Sequence, residues 1–141
     1  MVVKAARFRF LRRRRPVGVG IDLVEVADVV SALASPRADR YLELVYSPEE
    51  RRDCTTPDGG VDPTRLAARF AAKEAAWKAL GDTAMQFGWR SVEVVRGRGG
   101  QPSLRLSAPA AAIARSLGFR RFAVSLTHEP GYAAAVVVAT R

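Results

Sequence analysis

The chain has 141 residues, enough for one domain with its own core, and a formal net charge of +9. A single cysteine, Cys54, and a single histidine, His128, exclude an internal disulfide framework and a zinc site of Cys/His spacing. The same cysteine usage fits a reducing, cytoplasmic setting, and no apolar run approaches a membrane span, so no membrane partner is expected.

Residues 1–16 hold Lys4, Arg7, Arg9 and Arg12 to Arg15 and no acid. Without those seven charges the balance is 16 basic to 14 acidic residues, or +2. The excess therefore lies in a tail and not on a folded face, which argues against a nucleic-acid binder. No apolar stretch follows the arginines, so they do not read as a secretory signal. A short targeting peptide, a flexible arm and residues from an early start codon stay open as readings. The division expected is a basic flexible arm over 1–16 and one domain over 17–141.

Val17 to Ile21 reads as a buried strand, with Gly18 and Gly20 permitting close backbone approach and Asp22 ending it. Asp22 with Glu25 three later also resembles a helix cap for the apolar pattern that runs to Leu33. Residues 38–45 form a second helix. Ser47-Pro48-Glu49-Glu50 opens a third, with serine at the cap, proline next and acids in the first turn. Thr55 to Pro63 is a loop, and Cys54 at its edge is a packing residue or an incidental thiol.

A long helix runs from Pro63 or Thr64 to Leu80 and stops at Gly81. Leu66, Phe70 and Trp77 fall on one stripe, expected to face the core. Glu74 and Lys78 are four apart beside that stripe, the spacing of an ordinary surface ion pair. Ala67 and Ala71 on the same face leave a floor on which a ligand could lie. Beyond the helix, Ser91–Val95 and Ser103–Ser107 form a hairpin around Gly97, Gly99 and Gly100. Ser107-Ala108-Pro109 caps a helix ending at Gly118, and Phe122–Thr127 and Tyr132–Ala139 form a second hairpin across His128-Glu129-Pro130-Gly131. The order of elements is that of an α+β domain, an antiparallel sheet with a long central helix.

Polar residues cluster at three joints: Asp22, the Glu74/Lys78 pair, and Ser125-Leu126-Thr127-His128. Two carboxylates from separate elements with a lysine beside one suit Mg²⁺ bridging to phosphate oxygens. No G-x-x-x-x-G-K-[ST] is present, which argues against a nucleotide hydrolase of that kind.

Together these residues carry a resemblance. Gly18-Val19-Gly20-Ile21-Asp22-Leu23-Val24-Glu25 resembles the N-terminal motif of the holo-acyl-carrier-protein synthases, the small type of 4′-phosphopantetheinyl transferase. Arg69-Phe70-Ala71-Ala72-Lys73-Glu74-Ala75-Ala76-Trp77-Lys78-Ala79 is similar to their second motif, R-F-[AV]-x-K-E-A-x-x-K-A. Gly100-Gln101-Pro102 fits their G-x-P turn, and Ser125 to His128 with Tyr132 to Val136 resembles their closing hairpin. The matches run in the family's order from Val17 to Ala139.

The resemblance implies a homotrimer with coenzyme A in clefts between subunits. It implies transfer of 4′-phosphopantetheine to a serine of an apo acyl carrier protein, with release of adenosine 3′,5′-bisphosphate. Asp22 and Glu74 would hold Mg²⁺ on the pyrophosphate and Lys78 would steady the phosphates. The serine proton would go to Glu74 or to a water or hydroxide on the metal. Arg69, His128 and the backbone of Gln101 and Pro102 would surround the nucleotide end. Two departures stand out. Gly81-Asp82-Thr83 replaces the family's G-T-G, and Asp28 takes a place that is commonly basic and faces the acidic carrier. The alternative is a non-catalytic binding module of the same fold, its arginine arm contacting nucleic acid or an acidic protein.

Like charges across an interface are penalised, so Asp28 weakens attraction to an acidic carrier and the basic arm is expected to supply it at long range. Deleting residues 1–15 should lower kcat/KM for the carrier at low salt and flatten its salt dependence over a Debye length of about 8–10 Å. Asp28→Arg in the truncated protein should restore part of the loss. Equal kinetics of truncated and full-length protein at every ionic strength would leave the arm without a role.

Overall fold

The structure is a computed structural model that describes residues 16–81 and 86–141. Its elements run β1 (Val17–Glu25), α1 (Val26–Leu33), α2 (Ala38–Val45), α3 (Pro48–Asp53), α4 (Pro63–Leu80), a 3-10 turn (Trp89–Ser91), β2 (Val92–Arg96), β3 (Pro102–Leu106), α5 (Ala108–Ser116), β4 (Arg121–Glu129) and β5 (Tyr132–Thr140). β1, β5 and β4 form one antiparallel sheet in that spatial order, and β2 pairs with β3 in a second. The expected α+β arrangement around a long helix is the one observed. The basic tail, residues 1–15, lies outside the described residues, as do Asp82 and Thr83 of the altered loop.

Local signals set the helix ends. The Asp62 carboxylate accepts the backbone N–H groups of Thr64 and Arg65 at the start of α4, with Pro63 next, and Gly81 follows Leu80 with φ 82°. Ser47 caps α3, and the Glu50 carboxylate reaches back to the Ser47 N–H, completing a capping box. The last hairpin is tighter than expected. His128 and Glu129 remain in β4, because Glu129 pairs with Tyr132, and the turn is Pro130-Gly131 with Gly131 at φ 92°.

β1 departs from its expected form. It runs past Asp22 to Glu25, held extended by pairing with β5 from Val17↔Thr140 to Glu25↔Tyr132. Glu25 occupies the cap position of α1, so Asp22 is a strand residue and caps nothing. Nor is the strand buried on both faces. Gly18, Gly20, Asp22 and Val24 face α4, whereas Val17, Val19, Ile21 and Leu23 are between 61% and 65% exposed on the outer face.

α4 also departs from a one-stripe helix. β1 and β5 pack on one side, and α1, α3, β2 and β4 also meet it. Leu66 and Trp77 are buried as expected, but so are Ala67, Ala68, Ala71, Ala72, Ala75, Ala76 and Ala79. Phe70 is only half-buried, its ring 4.9 Å from that of Trp89. Ala67 and Ala71 are therefore covered by the protein itself and form no open floor. Lys73 is wholly buried, 2.8 Å from the Glu50 carboxylate. Burial pushes its ammonium pKa down, and Glu50 opposes that shift. Among the described residues no helix is long and apolar enough to cross a membrane.

The approach of β1 to α4 depends on two glycines. A Cβ at Gly20 would stand 1.8 Å from the Ala75 carbonyl oxygen, and one at Gly18 would stand 2.1 Å from that of Ala79. These obstacles are backbone and cannot rotate away. Gly20→Ala should therefore cost about 3 kcal/mol or more in urea unfolding. Gly59→Ala, where an added methyl meets nothing within 4 Å but φ is 84°, should cost only about 1–2 kcal/mol of left-handed strain.

Candidate functional site

β1 is an edge strand, and its pleat aims Asp22 at α4 from the sheet rim. Lys78 of α4 reaches the same rim, where its Nζ donates to Asp22 Oδ1 at 2.8 Å and to the Ile21 carbonyl at 3.1 Å. The lysine therefore makes its ion pair with the strand, and not with Glu74 on its own helix. Glu74 lies one turn before Lys78 and lines the same cleft as Asp22, a hollow of about 720 Å³. Glu25 and Asp28 add two more carboxylates to it, and Val29, Tyr41 and Phe70 form an apolar wall.

The electrostatics follow from this crowding. Partial burial raises the Glu74 carboxyl pKa, the nearby Asp22 raises it further, and Lys78 offsets part of the shift. The cleft thus holds more negative charge than its lysine balances. Among the described residues no three or more metal-ligating side chains converge. A carboxylate pair alone still fits Mg²⁺, which keeps several waters and takes phosphate oxygens as further ligands. The donor set, the surplus charge and the open rim all suit such an ion.

A second cleft, about 270 Å³, gathers Arg69, Pro102 and His128 with Asp53, Arg65 and Arg96. Arg69 is only 6% exposed. Its Nη2 lies 3.3 Å from Asp53 Oδ2, its Nη1 donates to the Arg65 carbonyl, and its buried Nε finds no partner among the described residues. His128 stands exposed at the end of β4, beside Arg65. Gln101 does not line this cleft. Its amide folds back over its own turn, where a Cβ added to Gly97 would meet Gln101 Nε2 at 2.9 Å. Sequence reasoning missed Arg65, although its position four before Arg69 was a usable signal. It also missed Arg96, Tyr41 and the cleft role of Phe70, which carry none.

The two clefts share no lining residue. At about 100° per residue, Phe70, Glu74 and Lys78 occupy one face of α4, and Arg65 and Arg69 lie nearly opposite. In the sheet, Asp22 pairs with Ala135, which pairs with Leu126, so β1 and β4 stand two strand spacings apart, roughly 10 Å. One flank of α4 is acidic and the other basic.

The family model for the 4′-phosphopantetheinyl transferase superfamily matches residues 18–137. A holo-[acyl-carrier-protein] synthase of Anaeromyxobacter dehalogenans is 48% identical over 124 residues, covering 86% of this chain and 94% of that protein. One of Koribacter versatilis is 43% identical over 124 residues, 86% of this chain and 96% of that protein. Among solved structures, the ACPS–CoA complex of Chronobacterium ammoniagenes superposes with a TM-score of 0.75 at 31% identity, covering 88% of this chain and 96% of that one. The Helicobacter pylori holo-[acyl-carrier-protein] synthase in complex with coenzyme A gives 0.69 at 26% identity, covering 86% and 98%.

The raised Glu74 pKa has a consequence for stability. The folded state keeps this proton to higher pH than the unfolded chain, so the group favours folding most below 4.5 and loses that contribution as pH rises through its folded value. Glu74→Gln removes the titration. The variant should melt no lower than wild type at neutral pH, with any advantage shrinking as pH falls through the folded value toward 4.5 and absent below it. Melting temperatures of both proteins from acid to neutral pH check this.

Proposed function

The chain belongs to the 4′-phosphopantetheinyl transferase superfamily, and on that premise we propose that it transfers 4′-phosphopantetheine from coenzyme A to a serine of an apo acyl carrier protein. The product left behind is adenosine 3′,5′-bisphosphate. One observation carries the reading: Asp22, Glu74 and Lys78, from an edge strand and the central helix, converge on one open rim. Solved relatives that hold coenzyme A support that co-substrate.

In the reaction the carrier serine oxygen bonds to the phosphorus that bears pantetheine, that phosphorus loses its bond to the bridging oxygen, which departs with adenosine 3′,5′-bisphosphate, and the serine proton passes to Glu74 or to water at the rim. Asp22 and Glu74 would hold Mg²⁺, which when bound supplies Lewis-acid stabilisation of charge on the pyrophosphate. Lys78 has three donors. Asp22 and the Ile21 carbonyl take two, which orients the ammonium and leaves one for a phosphate oxygen. A cation fixed in this way acts on charge as it develops, without reorganising during the step. Arg65, Arg69, Arg96 and His128 offer the basic surroundings that a nucleotide phosphate needs, and Gly100 and Pro102 line that cleft beside them.

The two clefts flank α4 on opposite sides, which supports a coenzyme A site completed between copies of the chain, as in a homotrimer. The outer face of the β1–β5–β4 sheet supports the same assembly. Val17, Val19, Ile21 and Leu23 stand exposed there beside Val136, an apolar surface with no covering element among the described residues.

Incubation with coenzyme A, Mg²⁺ and an apo carrier should add the mass of one phosphopantetheine to the carrier, and no gain would end this reading. Asp22→Asn and Glu74→Gln should each lower kcat/KM by about 10²-fold or more. Near-normal turnover in either would remove that residue from the site. Lys78→Ala should lower kcat more than it raises KM. In light scattering the protein should run as a trimer, and Ile21→Lys should shift it toward monomer. A fully active wild-type monomer would remove the assembly.

A further inference from the structure

Among the described residues β2 has a strand partner, β3, on one side only. Its other edge is met by two charged side chains, Lys73 of α4 and Glu50 of α3, each 0% exposed. The Lys73 ammonium donates to the Val92 carbonyl, to the Trp89 carbonyl at 3.2 Å and to Glu50 Oε2 at 2.8 Å, which uses all three of its protons. Glu50 Oε1 accepts the Val94 N–H at 2.8 Å, and Oε2 also accepts the Ser47 N–H at 2.9 Å. The carbonyl of Val92 and the N–H of Val94 point to the same side of the strand, so the ion pair stands where a further strand would bond. Ser47 continues the network, its hydroxyl donating to Glu93 Oε1 at 2.6 Å, and Glu93 Oε2 lies 3.0 Å from Arg105 of β3.

Filling space does not account for this. Well-packed apolar residues replace a buried ion pair with equal or greater stability, whereas a pair with every donor directed specifies one arrangement. The element so arranged is the β2–β3 hairpin. Val94, Arg96, Gly100 and Pro102 of that hairpin form one wall of the basic cleft. Arg69, one turn before Lys73 on α4, belongs to the other wall. We propose that Lys73 and Glu50 are positioning residues that hold the hairpin at a fixed height on α4 and so set the width of the cleft that takes the nucleotide end of coenzyme A. This deepens the functional reading above and rests on it.

The double variant Glu50→Leu/Lys73→Met tests it, because neither charge is then left buried alone. KM for coenzyme A and Kd for adenosine 3′,5′-bisphosphate should each rise about tenfold, with kcat at saturating coenzyme A within about twofold of wild type. Asp22, Glu74 and Lys78 are untouched, so a loss through the hairpin falls on binding. Amide exchange at Val94 and through residues 97–101 should accelerate. Wild-type KM and Kd in a cooperatively melting double variant would overturn the proposal, as would a loss confined to kcat. If the double variant does not fold, Glu50→Gln/Lys73→Met, which keeps the shape and one acceptor and strands no charge, decides by the same split. Wild-type protein that neither binds the bisphosphate nor modifies a carrier would overturn the functional reading alone. The exchange of Val94 and the hairpin amides would then decide whether the pair holds the hairpin.

Discussion

The constraint on which the rest depends is the backbone contact between β1 and α4. At Gly20 and Gly18 the strand lies so close to the Ala75 and Ala79 carbonyls that a methyl group has no place. This closeness fixes the strand against the helix along its length as well as across it. Asp22, two residues beyond Gly20, then falls within 2.8 Å of Lys78. A one-residue slip of β1 would turn Asp22 to the outer face and bring Leu23 inward. The chemistry of the acidic cleft is thus a consequence of strand register, and the glycines are what hold that register.

Such an approach favours small side chains on the helix. Alanines fill most of the buried surface of α4, and each brings only one methyl to the core, about 0.8 kcal/mol for a group that size. The large apolar residues of β1 point the other way. The inner face of β1 holds Gly18, Gly20 and Asp22 before Val24, and its outer face holds Val17, Val19, Ile21 and Leu23, so this strand turns most of its hydrophobic surface away from the core. The alanine-lined interior and the apolar exterior of β1 are two results of the same close strand-to-helix contact.

α4 also acts as a divider. Its opposite faces carry opposite charge: Glu74 toward Asp22, and Arg65 and Arg69 toward Asp53 and His128. Between the two faces lies Lys73, buried and paired with Glu50, one residue before Glu74 and four after Arg69. Removing one partner of such a pair leaves a stranded charge and costs about 3–5 kcal/mol, so helix, hairpin and α3 are tied at a point neither cleft exposes. The fold keeps its opposite charges apart on the two faces of one helix.

The sequence by itself determined the start of α3, both ends of α4, the tight approach at Gly18 and Gly20, and the identity of Asp22, Glu74 and Lys78 as a candidate set. Those signals are local: a cap such as Ser47 or Asp62, a stop such as Gly81, a motif of a dozen residues. Only the tertiary structure decided that Lys78 pairs with Asp22 and not with Glu74, because the choice depends on a strand 56 residues away in the chain. It decided likewise that Asp22 is a strand residue, that Arg69 is buried against Asp53, and that Glu50 is as much a partner of β2 as a helix cap. An i, i+4 carboxylate and lysine look alike in sequence whether water or a distant backbone meets them. What separates the cases is which surfaces the packed core brings together, and that is a property of the whole chain.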